Sequence, residues 1–153
     1  MLRKLLLAAF FLLAALAPGE ALVRFDSSSL TIDTAKGPQR FAIELALTPE
    51  QQQQGLMFRR TMAADAGMLF IFPKTQPAGF WMKNTLIPLD MLFISEDGHI
   101  ADLHERAVPL SQATIPSKVP VKAVLELNGG TVARLGIKIG DVVRYASFGN
   151  AKD

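Results

Sequence analysis

Leu89-Asp90-Met91-Leu92-Phe93-Ile94-Ser95-Glu96-Asp97-Gly98-His99-Ile100-Ala101-Asp102-Leu103-His104-Glu105-Arg106-Ala107-Val108 is the stretch that decides the fold. Two strand-like runs, Leu89 to Ser95 and His99 to Val108, flank Asp97-Gly98, a turn pair that favours two positive φ values. The stretch therefore predicts an antiparallel hairpin. Upstream, Met68-Leu69-Phe70-Ile71-Phe72 is apolar at every position and ends at Pro73. Such a run predicts a strand buried on both faces. Phe41-Ala42-Ile43-Glu44-Leu45-Ala46-Leu47 alternates instead, which puts Phe41, Ile43, Leu45 and Leu47 on one face of a half-buried strand. Thr48-Pro49-Glu50-Gln51 then reads as a helix start: Thr48 as N-cap, Pro49 at the first helical position, Gln51 completing a capping box. Gly55 offers a left-handed stop, so the helix is short and Gln51–Gln54 is a solvated helical face.

Between these landmarks, Gly79-Phe80-Trp81-Met82-Lys83 reads as a further strand entering the loop Asn84 to Pro88. Residues 109–120 hold three prolines and no usable periodicity. A loop of that length is uncommon in a compact domain and is often functional. Val121 to Leu127 resumes a strand, Asn128-Gly129-Gly130 turns, and Thr131 to Leu135 makes one short helix ended by Gly136. Gly140-Asp141 turns again before a last strand, Val142 to Phe148. The expected fold is mainly β, a β-rich α+β arrangement. It is a compact, mostly antiparallel barrel-like or sandwich domain of about seven or eight short strands with one or two short helices, a helix covering one opening.

Composition agrees with a single folded domain. The chain has 153 residues, 16 basic and 14 acidic side chains, and no cysteine. Disulfide scaffolds, thiolate zinc sites and cysteine nucleophiles are thereby excluded. Arg3 and Lys4 precede thirteen apolar residues, Leu5 to Ala17. That is the pattern of a secretory signal peptide and too short for a membrane span. Cleavage is expected after Ala21, since Pro18 would spoil the alternative site after Ala17. Residues 1–21 are then a signal peptide, 22–40 a lead-in that is part strand, 41–148 the β domain and 149–153 a tail. The expected location is periplasmic or extracellular, with no stable membrane span after cleavage. Removal of Arg3, Lys4 and Glu20 leaves a near-neutral domain with scattered basic residues, so a nucleic-acid partner is not expected.

Several residues break the pattern. Asp90 shares a strand face with Leu92 and Ile94. A carboxylate there must be paired, protonated or at an opening, and it is either a strand-end cap for the turn after Pro88 or a site carboxylate. Trp81, the only tryptophan, reads first as core because of its large buried area. Asn84-Thr85 directly after it supplies the polar groups a ligand pocket needs, or a plain turn. Glu126 lies with Lys122, Val124 and Asn128 on a face that is solvated unless it meets a groove. Asp102, His104 and Arg106 read as an exposed, mixed-charge hairpin face. No metal motif or phosphate loop is present.

Gly55-Leu56-Met57-Phe58-Arg59, Gly67-Met68-Leu69-Phe70, Phe80-Trp81-Met82-Lys83-Asn84-Thr85, Pro88-Leu89-Asp90, Leu125-Glu126-Leu127 and Gly140-Asp141 occur in that order. Together they closely resemble the DUF192 family (also called UPF0127), small, usually exported prokaryotic proteins without an assigned biochemical function. The resemblance covers about Phe41 to Phe148. It implies a mainly antiparallel β domain and carries over neither a cofactor nor a catalytic residue; no cofactor or metal is expected. Its motif positions coincide with Arg59, Trp81, Asn84, Asp90 and Glu126. These, with Thr85, are the candidate ligand-binding residues. Three functions stay open: a module of the cell envelope binding a small molecule or glycan, a structural or accessory domain binding another envelope protein, and a hydrolase or transferase using Asp90 and Glu126 as paired carboxylates.

Overall fold

The computed structural model describes residues 23–151, and the expected signal segment lies outside them. In chain order the elements are β1 (Asp26–Thr34), β2 (Gly37–Ala46), α1 (Pro49–Gln54), β3 (Ala66–Gln76), β4 (Gly79–Phe80), β5 (Leu89–Ile94), β6 (Ile100–Ala107), β7 (Ile115–Pro116), β8 (Val121–Asn128), α2 (Thr131–Leu135) and β9 (Val142–Arg144). Seven strands build one curled half-barrel sheet in the order β6-β5-β8-β3-β2-β1-β9, and β4 with β7 forms a second, two-stranded sheet. The fold is thus mainly β with two short helices, as the strand pattern predicts. Every strand pairing is antiparallel but one: β2 and β3 run parallel, joined through α1. A bridge between His99 and Val142 brings the far edge, β9, against the β5–β6 turn.

The sheet is buried on both faces. Inside the curl, Ile32, Phe41, Leu69, Leu92, Leu125 and Val143 belong to one cluster, plugged by Val132 of α2 and by Phe148. Strands from both ends of the sheet contribute, which is what places this cluster on the concave side. On the outer face Met68, Phe70, Met91, Phe93 and Val124 form a second cluster, roofed by Met82 and Ala78 of the 77–88 segment. Two cores explain why residues 68–72 of β3, 91–94 of β5 and 123–125 of β8 are apolar throughout: each strand feeds both. Gly67 marks the close approach of β3 to β8, since a Cβ there would meet the Glu126 carbonyl oxygen at 2.7 Å.

Local expectations hold at α1, where Thr48 and Gln51 form the reciprocal capping box behind Pro49. Elsewhere the chain departs from its pattern for identifiable reasons. The Asp97-Gly98 turn has a single positive φ, at Gly98. The loop is widened to a Ser95 N–H bond onto the His99 carbonyl at 2.9 Å, with Asp97 Oδ1 accepting from the His99 N–H. Leu47 is exposed rather than aligned with Phe41, because its N–H already accommodates the helix cap, donating to Gln51 Oε1 at 2.8 Å. The sheet begins before Phe41: β1 pairs with β2 from Asp26 to Thr34, its polar serines hiding a two-residue alternation of Leu30 and Ile32. The strand expected over 79–83 is only Gly79–Phe80, and the last strand stops at Arg144 before a 3-10 turn.

Residues 109–120 are the roof's other half. β7 pairs with β4, and the Met82 N–H donates to the Ser111 carbonyl at 2.9 Å. The loop also covers part of β6: Asp102 is 4% exposed and paired with Lys118 Nζ at 2.8 Å. The mixed-charge face expected for Asp102, His104 and Arg106 is therefore not an open one. A register shift near the end of β6, with Arg106 at positive φ, further separates Arg106 from the other two.

Candidate functional site

Glu126 lies at the centre of β8, in register with Met68 of β3 on one side and Met91 of β5 on the other. All three point to the outer face, under the roof. Glu126 is 4% exposed, and burial alone pushes its carboxyl up to about 8. Among the described residues no fully occluded polar side-chain atom lacks a partner. The Glu126 carboxyl, which no described group pairs, escapes that condition by opening onto a cleft of about 210 Å³. An acid held without a hydrogen bond or counter-charge stays protonated near neutral pH, because the ionised form loses its water and gains nothing in return.

The cleft lies between α1 with its following turn and the 76–85 segment. Gly55 lets that turn approach the sheet: a Cβ there would come 3.2 Å from Phe70 Cζ, and its φ is +48°. Phe70 and Phe80 meet edge to face at 5.0 Å between centroids. Gln52 donates inward to the Ala46 and Ile71 carbonyls, at 3.2 and 3.1 Å, which leaves its Oε1 for the cleft. Thr85 donates its hydroxyl to the Lys83 carbonyl at 3.2 Å, so an acceptor lone pair remains. No Lys, Arg or His lines the cleft.

Trp81 stands at the mouth. It is 46% exposed rather than core, because the strand that would have turned it inward ends at Phe80 and the roof packs through Met82 instead. Lys83 Nζ sits 5.3 Å from the centre of its ring. Trp81, Thr85 and Glu126 thus come together, as three of the six sequence candidates. Asn84, at φ 55°, lines an adjoining hollow with Trp81 and Met57. Arg59 is outside the cleft, paired with Glu44 and stacked 5.8 Å from the centre of the Phe25 ring.

Asp90 faces the other way. Its register partner is Leu127, while the neighbouring pair Met91 and Glu126 is turned outward. Fully buried, Asp90 accepts the Arg106 and Val132 N–H groups at 2.8 Å each and the Gly130 N–H at 3.0 Å. It therefore caps α2, which has no side-chain cap of its own, and ties it to the end of β6. The sequence reading of a local cap after Pro88 had the right chemistry and the wrong partners, which lie up to 42 positions away. Asp90 and Glu126 do not form a carboxylate pair. The walls that sequence reasoning missed, Gln52, Phe70 and Phe80, carry no chemical signal of their own; the Gly55-Leu56-Met57 motif was the nearest hint.

A larger groove of about 770 Å³ runs along β1 and β9, yet none of the buried polar residues lies in it.

The model of the DUF192 family, described as "Uncharacterized ACR", matches residues 30–145. The chain belongs to this family. Among solved structures, a Sinorhizobium meliloti 1021 protein described as a "putative transcription regulator" is 52% identical, with a TM-score of 0.79. The match covers 82% of this chain and 98% of that one. A Novosphingobium aromaticivorans DSM 12444 protein of unknown function is 39% identical with a TM-score of 0.78, over 86% of this chain and 94% of that one. No curated protein matches this DUF192 member. Among its described residues no helix is long and apolar enough to cross a membrane.

Proposed function

We propose that the protein is an exported binding module of the cell envelope that holds one small molecule in the cleft over Glu126. The observation that carries this reading is the buried, unpartnered carboxyl at the cleft floor. Burying such a group unpaired costs stability, and that cost is tolerated where function requires it. A cleft that sets amide and hydroxyl groups and one perturbed acid beside apolar and aromatic side chains has the usual form of a ligand site. Its volume, about 210 Å³, suits a body somewhat larger than benzene, which occupies cavities of roughly 150 Å³. That is small for a glycan chain. The hydrolase or transferase reading loses its support because Asp90 and Glu126 occupy opposite faces. A regulator of transcription finds little support either, since a nucleic-acid footprint needs clustered basic residues and those of the β domain are scattered, with Arg59–Arg60 their only adjacent pair. Export rests on the N-terminal pattern of Arg3, Lys4 and Leu5–Ala17.

A second reading, docking to another envelope protein, draws on the apolar side chains beside the mouth. Phe58 and Leu110 are 67% and 58% exposed, and their N–H groups anchor them to the Asn84 and Thr85 carbonyls. The deciding experiment is mass spectrometry of small molecules released from the protein isolated from its native envelope fraction, wild type against Glu126→Leu. A mass carried by the wild type and lost in the variant supports the module. Identical spectra from the two, or absence of the protein from that fraction, would overturn it.

A further inference from the structure

We infer that the Glu126 cleft selects small organic cations, an ammonium group on a compact apolar body, and exchanges a proton for each ligand bound. The inference rests on the small-ligand reading above and adds the charge of the ligand. Three features of the cleft point the same way. Acceptors border it: the Glu126 carboxyl at the floor, with the Gln52 amide and Thr85 hydroxyl oxygens, which keep free lone pairs, in the lining. Its lining includes three aromatic residues, Phe70, Phe80 and Trp81, and aromatic rings attract cations. No basic side chain in the lining competes for the carboxyl or could hold an anion. The chain already shows the affinity at the mouth, where the Lys83 ammonium rests over Trp81. A metal ion fits less well, since hard divalent cations need several oxygen ligands and no group of three His, Asp or Glu residues gathers among the described residues.

The proton follows from the surroundings of Glu126. Beside it across the sheet lie Met68 and Met91, and further along the same row come Glu44 on β2 and His104 on β6. Glu44 is neutralised by Arg59, and Asp102 on the same face of β6 by Lys118. On its own strand Lys122 donates outward to the Pro73 carbonyl. Glu50 belongs to α1 and Lys83 to the roof, both exposed. None of these shifts Glu126; burial alone raises it to about 8. An arriving cation supplies the missing counter-charge, the carboxyl ionises, and its proton leaves for solvent.

Choline and its uncharged carbon isostere, 3,3-dimethylbutan-1-ol, separate charge from shape, and neither titrates near neutral pH. Trp81, the only tryptophan, reports binding at the mouth by its fluorescence. Choline is expected to bind at least about tenfold more tightly than the isostere at pH 7. Its affinity should rise about tenfold per pH unit below pH 8 and level off above it. Calorimetry in two buffers of different ionisation enthalpy should find about one proton released at pH 6. Glu126→Gln, a neutral replacement expected to fold, should erase the preference and the proton release. Equal binding of both compounds to the wild type would overturn the cation inference and leave the small-ligand reading standing. Failure of both to bind would overturn the cation inference, while the small-ligand reading stands or falls on the mass spectra described above. Choline preference without proton release would overturn the exchange.

Discussion

Asp90 and Glu126 are two acids buried on adjacent strands of one sheet, and the fold treats them in opposite ways. Asp90, on the concave face, meets three backbone N–H groups, from β6, the 128–130 turn and α2. Glu126, on the outer face, meets methionines, aromatic rings and an opening. Burial is nearly equal for the two, 0% against 4%. The difference teaches that depth alone does not distinguish a structural acid from a site acid. What separates them is whether the fold has brought donors to the oxygens.

The contrast can be broken most severely at Asp90. Asp90→Ala leaves three backbone donors without an acceptor, the Val132 N–H buried and the Arg106 and Gly130 N–H groups part-buried; with the latter two toward the low end of about 1–3 kcal/mol each, the loss should be about 3–6 kcal/mol in all. Asp90→Asn keeps one acceptor oxygen and should cost less than the alanine variant. Urea denaturation at neutral pH measures both, and a loss below about 1 kcal/mol for Asp90→Ala would remove Asp90 from its structural role.

At Glu126 the sign depends on pH. Its carboxyl is raised from about 4.5 to about 8 in the folded protein, so folding favours the protonated form. The associated stability is complete below pH 4.5 and is lost as the pH rises through 8. Relative to Glu126→Gln, the wild type should lose on the order of 5 kcal/mol across that window. Parallel denaturation curves of the two proteins from pH 4 to 9 would contradict the buried, unpartnered assignment.

Much of this contrast was legible in the chain, though not all of it. Asp90 stood out because it interrupted a face shared with Leu92 and Ile94. The hairpin, the capping box at Thr48 and the doubly apolar Met68–Phe72 run all read correctly because their determinants are local. By its strand pattern Glu126 did not stand out; only the Leu125-Glu126-Leu127 motif of the family resemblance marked it as a candidate. With Lys122 and Asn128 on the same strand face, it looked solvated, and only the roof of 77–88 and 109–120 makes it otherwise. Those segments carry short, Pro-interrupted strands with little periodicity. The parallel β2–β3 pairing was equally hidden, since the alternation of Phe41–Leu47 says nothing about the direction of its neighbour.

The smallest effect is expected at Trp81, where the roof meets solvent. Trp81→Ala should cost only about 1–1.5 kcal/mol, less than a core aromatic would, because nearly half of the residue is already hydrated. Thermal denaturation of the variant checks this. A loss above 2 kcal/mol would mean that Trp81 holds the roof down rather than framing the entrance.

The bridge between His99 and Val142 bears on how the chain finds this arrangement. The hairpin of β5 and β6 is local and can close early, but β9 must wait for both β1 and the β5–β6 turn. Asp33 and Arg144, ion-paired across β1 and β9, are 111 positions apart. Topologies dominated by such distant pairings fold in milliseconds to seconds, because the entropy of the closing loop is spent before the contacts reward it. Until Val142–Arg144 docks, the free edge of β1 presents its unpaired N–H and C=O groups to any other chain nearby. Residues 142–144 thus act as a clasp against strand exchange, and removing them should favour intertwined or aggregated products over the native fold.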